Sequence, residues 1–269
     1  MLRIIVSVIF IFLFKNFACA QNSESLMSGV IKYPDCGDFN HLDSYIDSIA
    51  KGDLNKWIEI IDTLNDVDSV GHLYCRLHYI ENKMLGIHGA LVSRKNEKLT
   101  FKLDNGLKKV FTDKPDFPDR DQYGIFYFFD KYYPEINSYL IQYYGMEFGG
   151  FKLVNKANGS IVDLPNRPIV SPDKKHFVLF NVDMDSEYTP NVISIYRVLG
   201  GCKVVYQDYF LNSMRENETL KFPNKAIWIN DKEIRIIQSC YDENYNENIN
   251  CGSYKLVFTD KWKKAVNFK

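Results

Sequence analysis

Apolar positions between residues 42 and 84 recur at helical spacing. Leu42, Tyr45, Ile46 and Ile49 follow the i, i+3, i+4, i+7 order of one helix face, and Leu54, Trp57, Ile58, Ile61 and Leu64 repeat it. Val70, Leu73, Tyr74 and Leu77 repeat it again after Asp68-Ser69. Gly52 and Asn65-Asp66 interrupt the pattern at short intervals, and Asp53 suits an N-cap. The spacing predicts three short amphipathic helices joined by tight turns.

From about residue 89 the period changes to that of strands. "LTFKLDNGLKKVFTD" (99–113) sets Asp-Asn-Gly between two apolar runs, a strong hairpin signal. Three later stretches share a plan of strand, Asp-Lys pair, strand: 123–144 around Asp130-Lys131, 167–183 around Asp173-Lys174, and 225–240 around Asp231-Lys232. Each is followed by a second hairpin: "FKLVNKANGSIVDL", "ISIYRVLGGCKVVYQDY" and "YKLVFTDKWKKAVNF". The chain therefore predicts a four-strand unit occurring three times, at about 123–165, 167–209 and 225–268. Four strands per unit at this period is the pattern of propeller blades.

"RPIVSPDKKHFVLF", followed by "ISIYRV", resembles the WD-like β-propeller repeat of TolB-type periplasmic proteins. Ser171, Pro172, Asp173 and Lys174 match its Ser-Pro-Asp-Gly-Lys corner, without the turn glycine; the other two units keep only the Asp-Lys pair. The resemblance implies a fold and carries no catalytic residue. The expected class is mainly β with a small N-terminal helical subdomain (21–88). Residues 89–269 then form a β-propeller-like or curved array of four-stranded antiparallel units.

The first twenty residues change the setting. Arg3, an apolar run from Ile4 to Phe14 and "ACA" at 18–20 have the order of a cleaved signal peptide, 1–20. The run covers 11 residues, short of the roughly 20 a spanning helix needs. Export to a bacterial periplasm or beyond, with Gln21 as the new N-terminus, is expected. Lipidation at Cys19 is the weaker alternative, because no leucine stands three residues before it. Cleavage removes Arg3 and Lys15 from 33 basic residues, leaving 31 against 34 acidic ones, a net charge of −3. That balance offers no footprint for nucleic acid and no basic block for anionic lipid. No membrane span is expected elsewhere.

An exported chain meets oxidising conditions, so its cysteines should pair. Cys240 and Cys251 flank "YDENYNENIN", and a bond there staples the base of a polar loop, worth roughly 3 kcal/mol on the chain-entropy model. Cys36 and Cys75 are then the second pair by elimination, and Cys202 is left as a free thiol.

Candidate chemistry is sparse. His72, Cys75 and His78 form H-x-x-C-x-x-H along one side of a helix, but this is no zinc spacing and Cys75 is better used in a disulfide. His41, His88 and His176 read as surface histidines. Gly149-Gly150 and Gly200-Gly201 precede no helix and are not phosphate loops. No catalytic residue, metal or cofactor is expected. The aromatic run 123–151 holds 12 Tyr or Phe in 29 residues, half of which strand alternation would turn outward.

The expected function is an exported, non-catalytic protein-binding module of the bacterial periplasm or cell envelope. An immunity or inhibitor protein that neutralises a periplasmic toxin or hydrolase is the more specific alternative. A hydrolytic enzyme assembled from distant residues is the rival class. The expected binding face gathers loops between the second and third strands of the units: Asp185, Glu187, Tyr188, Tyr241, Asp242, Glu243, Tyr245 and Glu247. Its carboxylates would steer a basic protein partner and its tyrosines would supply contact area.

Overall fold

The computed structural model describes residues 70–114, 124–145, 149–182, 191–199, 202–210, 220–241 and 247–265. Among the described residues, one helix, α1 (Val70–His88), precedes fifteen strands in four antiparallel sheets. Sheet I is β1 (Val92–Lys95), β2 (Lys98–Lys102) and β3 (Lys108–Thr112). Sheet II is β4 (Phe126–Tyr133), β5 (Ser138–Tyr144), β6 (Gly149–Asn155) and β7 (Ile161–Leu164). Sheet III is β8 (Ile169–Val170), β9 (His176–Asn181), β10 (Val192–Arg197) and β11 (Lys203–Tyr209). Sheet IV is β12 (Leu220–Asn230), β13 (Glu233–Tyr241), β14 (Glu247–Phe258) and β15 (Trp262–Ala265). In every sheet, sequence neighbours are spatial neighbours. The mainly β character and the three four-stranded antiparallel units are those the sequence predicts. The two earlier helical segments lie outside the described residues, as do Cys19, Cys36 and His41.

Hydrophobic burial runs through the molecule as consecutive layers. Ile80 and Met84 of α1, Leu99, Phe101 and Phe111 of sheet I and Phe129, Tyr139, Ile141 and Val154 of sheet II form one cluster. Leu140, Leu153 and Leu164 of sheet II meet Phe177, Leu179 and Tyr196 of sheet III in the next. Val178, Ile193 and Ile195 of sheet III meet Ile234, Ile236, Leu256 and Trp262 of sheet IV in the third. The central strands of sheets II and III are thus covered on both faces, so adjacent residues such as Phe177 and Val178 serve different cores. That explains a departure from the sequence reading of 123–151. None of its described aromatics is exposed, because β4, β5 and β6 pack against a core on each face.

Two of the three Asp-Lys pairs are turns and one is not. Asp231-Lys232 joins β12 to β13. At 171–175, Ser171 Oγ donates to Asp173 Oδ1 (2.7 Å), Lys175 N–H donates to the same oxygen (3.0 Å) and His176 N–H donates to Ser171 Oγ (3.0 Å). The corner residues satisfy one another, as Asp and Ser do in tight turns. Asp130-Lys131, by contrast, lies inside β4 at a bulge after Phe129. The turn falls later, at Pro134–Asn137, where proline lacks the N–H a ladder needs and Asn137 takes φ 46°.

Lys174 stands at φ 62°. That is the left-handed region, which favours glycine. A side chain in this region costs energy that glycine does not. Lys174→Gly should raise stability by about 1 kcal/mol, seen as a higher urea midpoint with unchanged slope. An unchanged or lower midpoint would contradict the left-handed geometry.

Candidate functional site

A polar constellation among the described residues ties α1, β1, the end of β3 and β4 together. Helix α1 turns Leu77, Ile80 and Met84 inward, and Glu81 shares that face with no solvent exposure. Arg94 lies on the inward side of β1, and Asp113 directly follows β3. Arg94 Nε donates to Glu81 Oε2 (2.6 Å), Nη2 to Glu81 Oε1 (3.0 Å) and Nη1 to Asp113 Oδ2 (2.8 Å). The remaining acceptors meet β4, the edge strand of sheet II. Tyr127 N–H donates to Asp113 Oδ1 (2.8 Å), Phe129 N–H donates to Glu81 Oε1 (2.8 Å), and Arg94 Nη2 also donates to the Tyr127 carbonyl. Side chains thus take the place of a neighbouring strand along the open edge of β4, where unpaired buried backbone groups would be costly.

The electrostatics of this cluster follow from burial. Desolvation pushes the carboxyl pKa of Glu81 up, and the Arg94 guanidinium only partly offsets it. Asp113 is raised for the same reason. His78, one turn before Glu81, is lowered by burial and then by Arg94, and its Nδ1 lies 3.0 Å from Asn82 Nδ2. Every carboxylate oxygen is already bonded within the protein, which makes the cluster an anchor for the α1, sheet I and sheet II junction.

A second buried carboxylate, Asp130, receives Arg167 side-on: Nε donates at 3.1 and 3.0 Å and Nη2 at 2.6 Å. Arg167 belongs to the link between sheets II and III and stacks over the Phe151 ring at 5.3 Å. Between the same two sheets, a hollow of about 490 Å³ is lined by Pro134, Glu135, Val170, Ser171, Pro172 and Lys174.

Cys240 and Cys251 form a disulfide at the base of the β13–β14 loop, with Cα atoms 5.9 Å apart. Cys75, buried on α1, is also disulfide-bonded. Cys202 is free, and burial raises its thiol pKa, which holds it in the unreactive form. Of the expected binding face, Tyr241 and Glu247 pair across the β13–β14 ladder. Asp185, Glu187, Tyr188, Asp242, Glu243 and Tyr245 lie outside the described residues. No group of three metal-ligating side chains occurs among the described residues.

Two histidines are less superficial than the sequence suggests. His88 ends α1 and packs edge-on against Phe129 (5.9 Å) and Tyr132 (5.8 Å). His176 opens β9 and packs against Trp262 (5.8 Å) and Phe258 (6.2 Å). Burial lowers both pKa values.

The anchors were missed because their partners are far apart in sequence. A signal existed at Glu81, a carboxylate among the apolar positions of a helix face, which calls for a buried partner. Nothing local points to Arg94 or Asp113. Comparison with known proteins adds no further assignment: no family model, curated protein or solved structure matches the chain.

Proposed function

We propose that the chain is an exported, non-catalytic protein-binding module of the bacterial periplasm or cell envelope. In this reading the four sheets make a propeller-like array, and the connections between second and third strands carry the recognition face. The observation that carries it is the Cys240–Cys251 disulfide, which holds the ends of a polar loop at the tip of the longest hairpin. A covalent staple there limits the entropy a loop loses on binding, which preorganisation favours.

Common polarity of the sheets supports a shared face. The turns between first and second strands of sheets II and III line one hollow. His176, at the corresponding end of sheet III, packs on Trp262 and Phe258, which flank the last turn of sheet IV. At that same end of sheet II, Asn155 and Asn137 flank turns that bond to Asp104 of sheet I. In antiparallel meanders the second-to-third connections then leave from the opposite end in all three units.

The test is capture from a periplasmic extract with and without the stapled loop. Replacing 242–246 by Asn-Gly, with both cysteines kept, should leave the thermal midpoint within a few degrees and abolish a stoichiometric, salt-resistant partner. Undiminished capture by the folded variant rules out this loop as the binding face.

A further inference from the structure

Sheet I has one face on the core and one in solvent, and its alternation is strict. Val92, Arg94, Leu99, Phe101 and Phe111 turn inward. The outward positions are Ser93 and Lys95 on β1, Lys98, Thr100 and Lys102 on β2, and Lys108, Val110 and Thr112 on β3. Four of these eight are lysines and none is a carboxylate. The lysines are not collected by a run in the sequence; strand pairing brings them together. Lys95 stands directly opposite Lys98, and Lys102 directly opposite Lys108.

Like charges paired across a ladder are destabilising. None of these four lysines has an ion-pair partner among the described residues, whereas Lys152, Lys156, Lys255 and Lys264 elsewhere do. The sheet therefore bears two cationic pairs on a chain whose overall charge is near zero, with Glu97 of the β1–β2 turn as the neighbouring carboxylate of the first. The pairs sit at the two ends of β2, roughly 13 Å apart at the strand rise per residue. Hydroxyls of Ser93 and Thr100 lie between them, with Val110 at 47% exposure, and Thr112 stands directly opposite Lys98. Leu107, in the β2–β3 turn beside Lys108, is 65% exposed.

We propose that this face docks on an anionic membrane surface. The lysines lie on an open sheet face rather than in a cleft, so the face suits an array of headgroups better than a single small anion. Phosphate groups would sit between the lysines of each pair and relieve their repulsion, with hydroxyl donors alongside. Leu107 at the turn tip supplies the apolar contact that peripheral proteins add to charge. Surface lysines near anionic lipid each strengthen binding by roughly fivefold at moderate salt, so four make a usable patch. The proposal concerns a different surface from the loops discussed above and does not depend on them.

The experiment is co-sedimentation of the full chain with vesicles of phosphatidylcholine alone and of phosphatidylcholine with one-third phosphatidylglycerol. Expected is binding to the anionic vesicles that exceeds binding to neutral ones and weakens with added salt. A Lys95, Lys98, Lys102 and Lys108 to Gln variant should lose that excess by a hundredfold or more. Leu107→Ser should weaken it severalfold. The control changes Lys203, Lys221, Lys225 and Lys261 to Gln, an equal charge change elsewhere, and should retain the excess. Circular dichroism reports that each variant is folded. Three outcomes overturn the proposal: no excess on anionic vesicles, equal loss in the control, or lysine-dependent binding to soluble heparin without vesicle binding. The last would assign the face to an acidic glycan.

Discussion

Arg94→Met should destabilise the fold by about 3–5 kcal/mol at neutral pH, the cost of leaving buried charges without their partner. Methionine keeps most of the stem volume, so little of the loss comes from packing. Glu81 and Asp113 would remain with no cation between them, and the Tyr127 carbonyl would lose a donor. Chemical denaturation at pH 7 measures the loss. A change below about 1 kcal/mol would mean that the cluster contributes little and that the edge of β4 is held by other contacts.

The same variant carries a pH signature. Glu81 and Asp113 have raised folded-state pKa values even with Arg94 present, chiefly from burial. A raised carboxyl contributes stability that is fully present below its unfolded pKa and lost as pH rises through the folded one. Without the guanidinium both values rise further, because each carboxylate then faces the other in a poorly solvated site. The deficit of Arg94→Met should therefore shrink between pH 7 and pH 5, relative to the native chain at each pH. A deficit that grows on acidification would show that the carboxylates stay ionised and that solvent reaches them.

How far the sequence reveals this molecule depends on how local the determinant is. The four-strand units were legible because alternation, turn residues and hairpin spacing act over a few residues. Ser171, Asp173 and His176 form a corner whose bonds all fall within five positions. Asp130 misled because an Asp-Lys pair is also compatible with a bulge, and only the proline four residues later marks the true turn. The anchor of Glu81, Arg94 and Asp113 spans 13 and 19 residues between partners, and 48 from Glu81 to Phe129, so no window contains it. The cationic face was hidden for a related reason. Lys95, Lys98, Lys102 and Lys108 are interleaved with apolar inward residues, and only the register makes them one patch. The aromatic run was misread because alternation distinguishes two faces but not whether each is covered.

Phe177→Ala should destabilise the protein by about 3–5 kcal/mol, the range for deleting a fully buried aromatic ring. Phe177 has no exposure, stacks on Tyr196 with centroids 4.8 Å apart and planes 9° from parallel, and fills the layer between sheets II and III with Leu140, Leu153 and Leu179. Those leucines come from well-formed strands on both sides, so the cavity cannot close without moving a whole sheet. Phe177→Leu should recover more than half of the loss, because most of the apolar volume returns. The stacking contact itself is read from a double-mutant cycle with Tyr196→Ala. The two losses should fall short of additive by about 1 kcal/mol, since the second truncation removes a partner already lost. Val178, one residue on, points to the other core with Ile193 and Ile234. A Val178→Ala change should add to Phe177→Ala with little coupling, because the two side chains lie on opposite faces of sheet III. Strong coupling between 177 and 178, or additivity between 177 and 196, would contradict the layered order of the sheets.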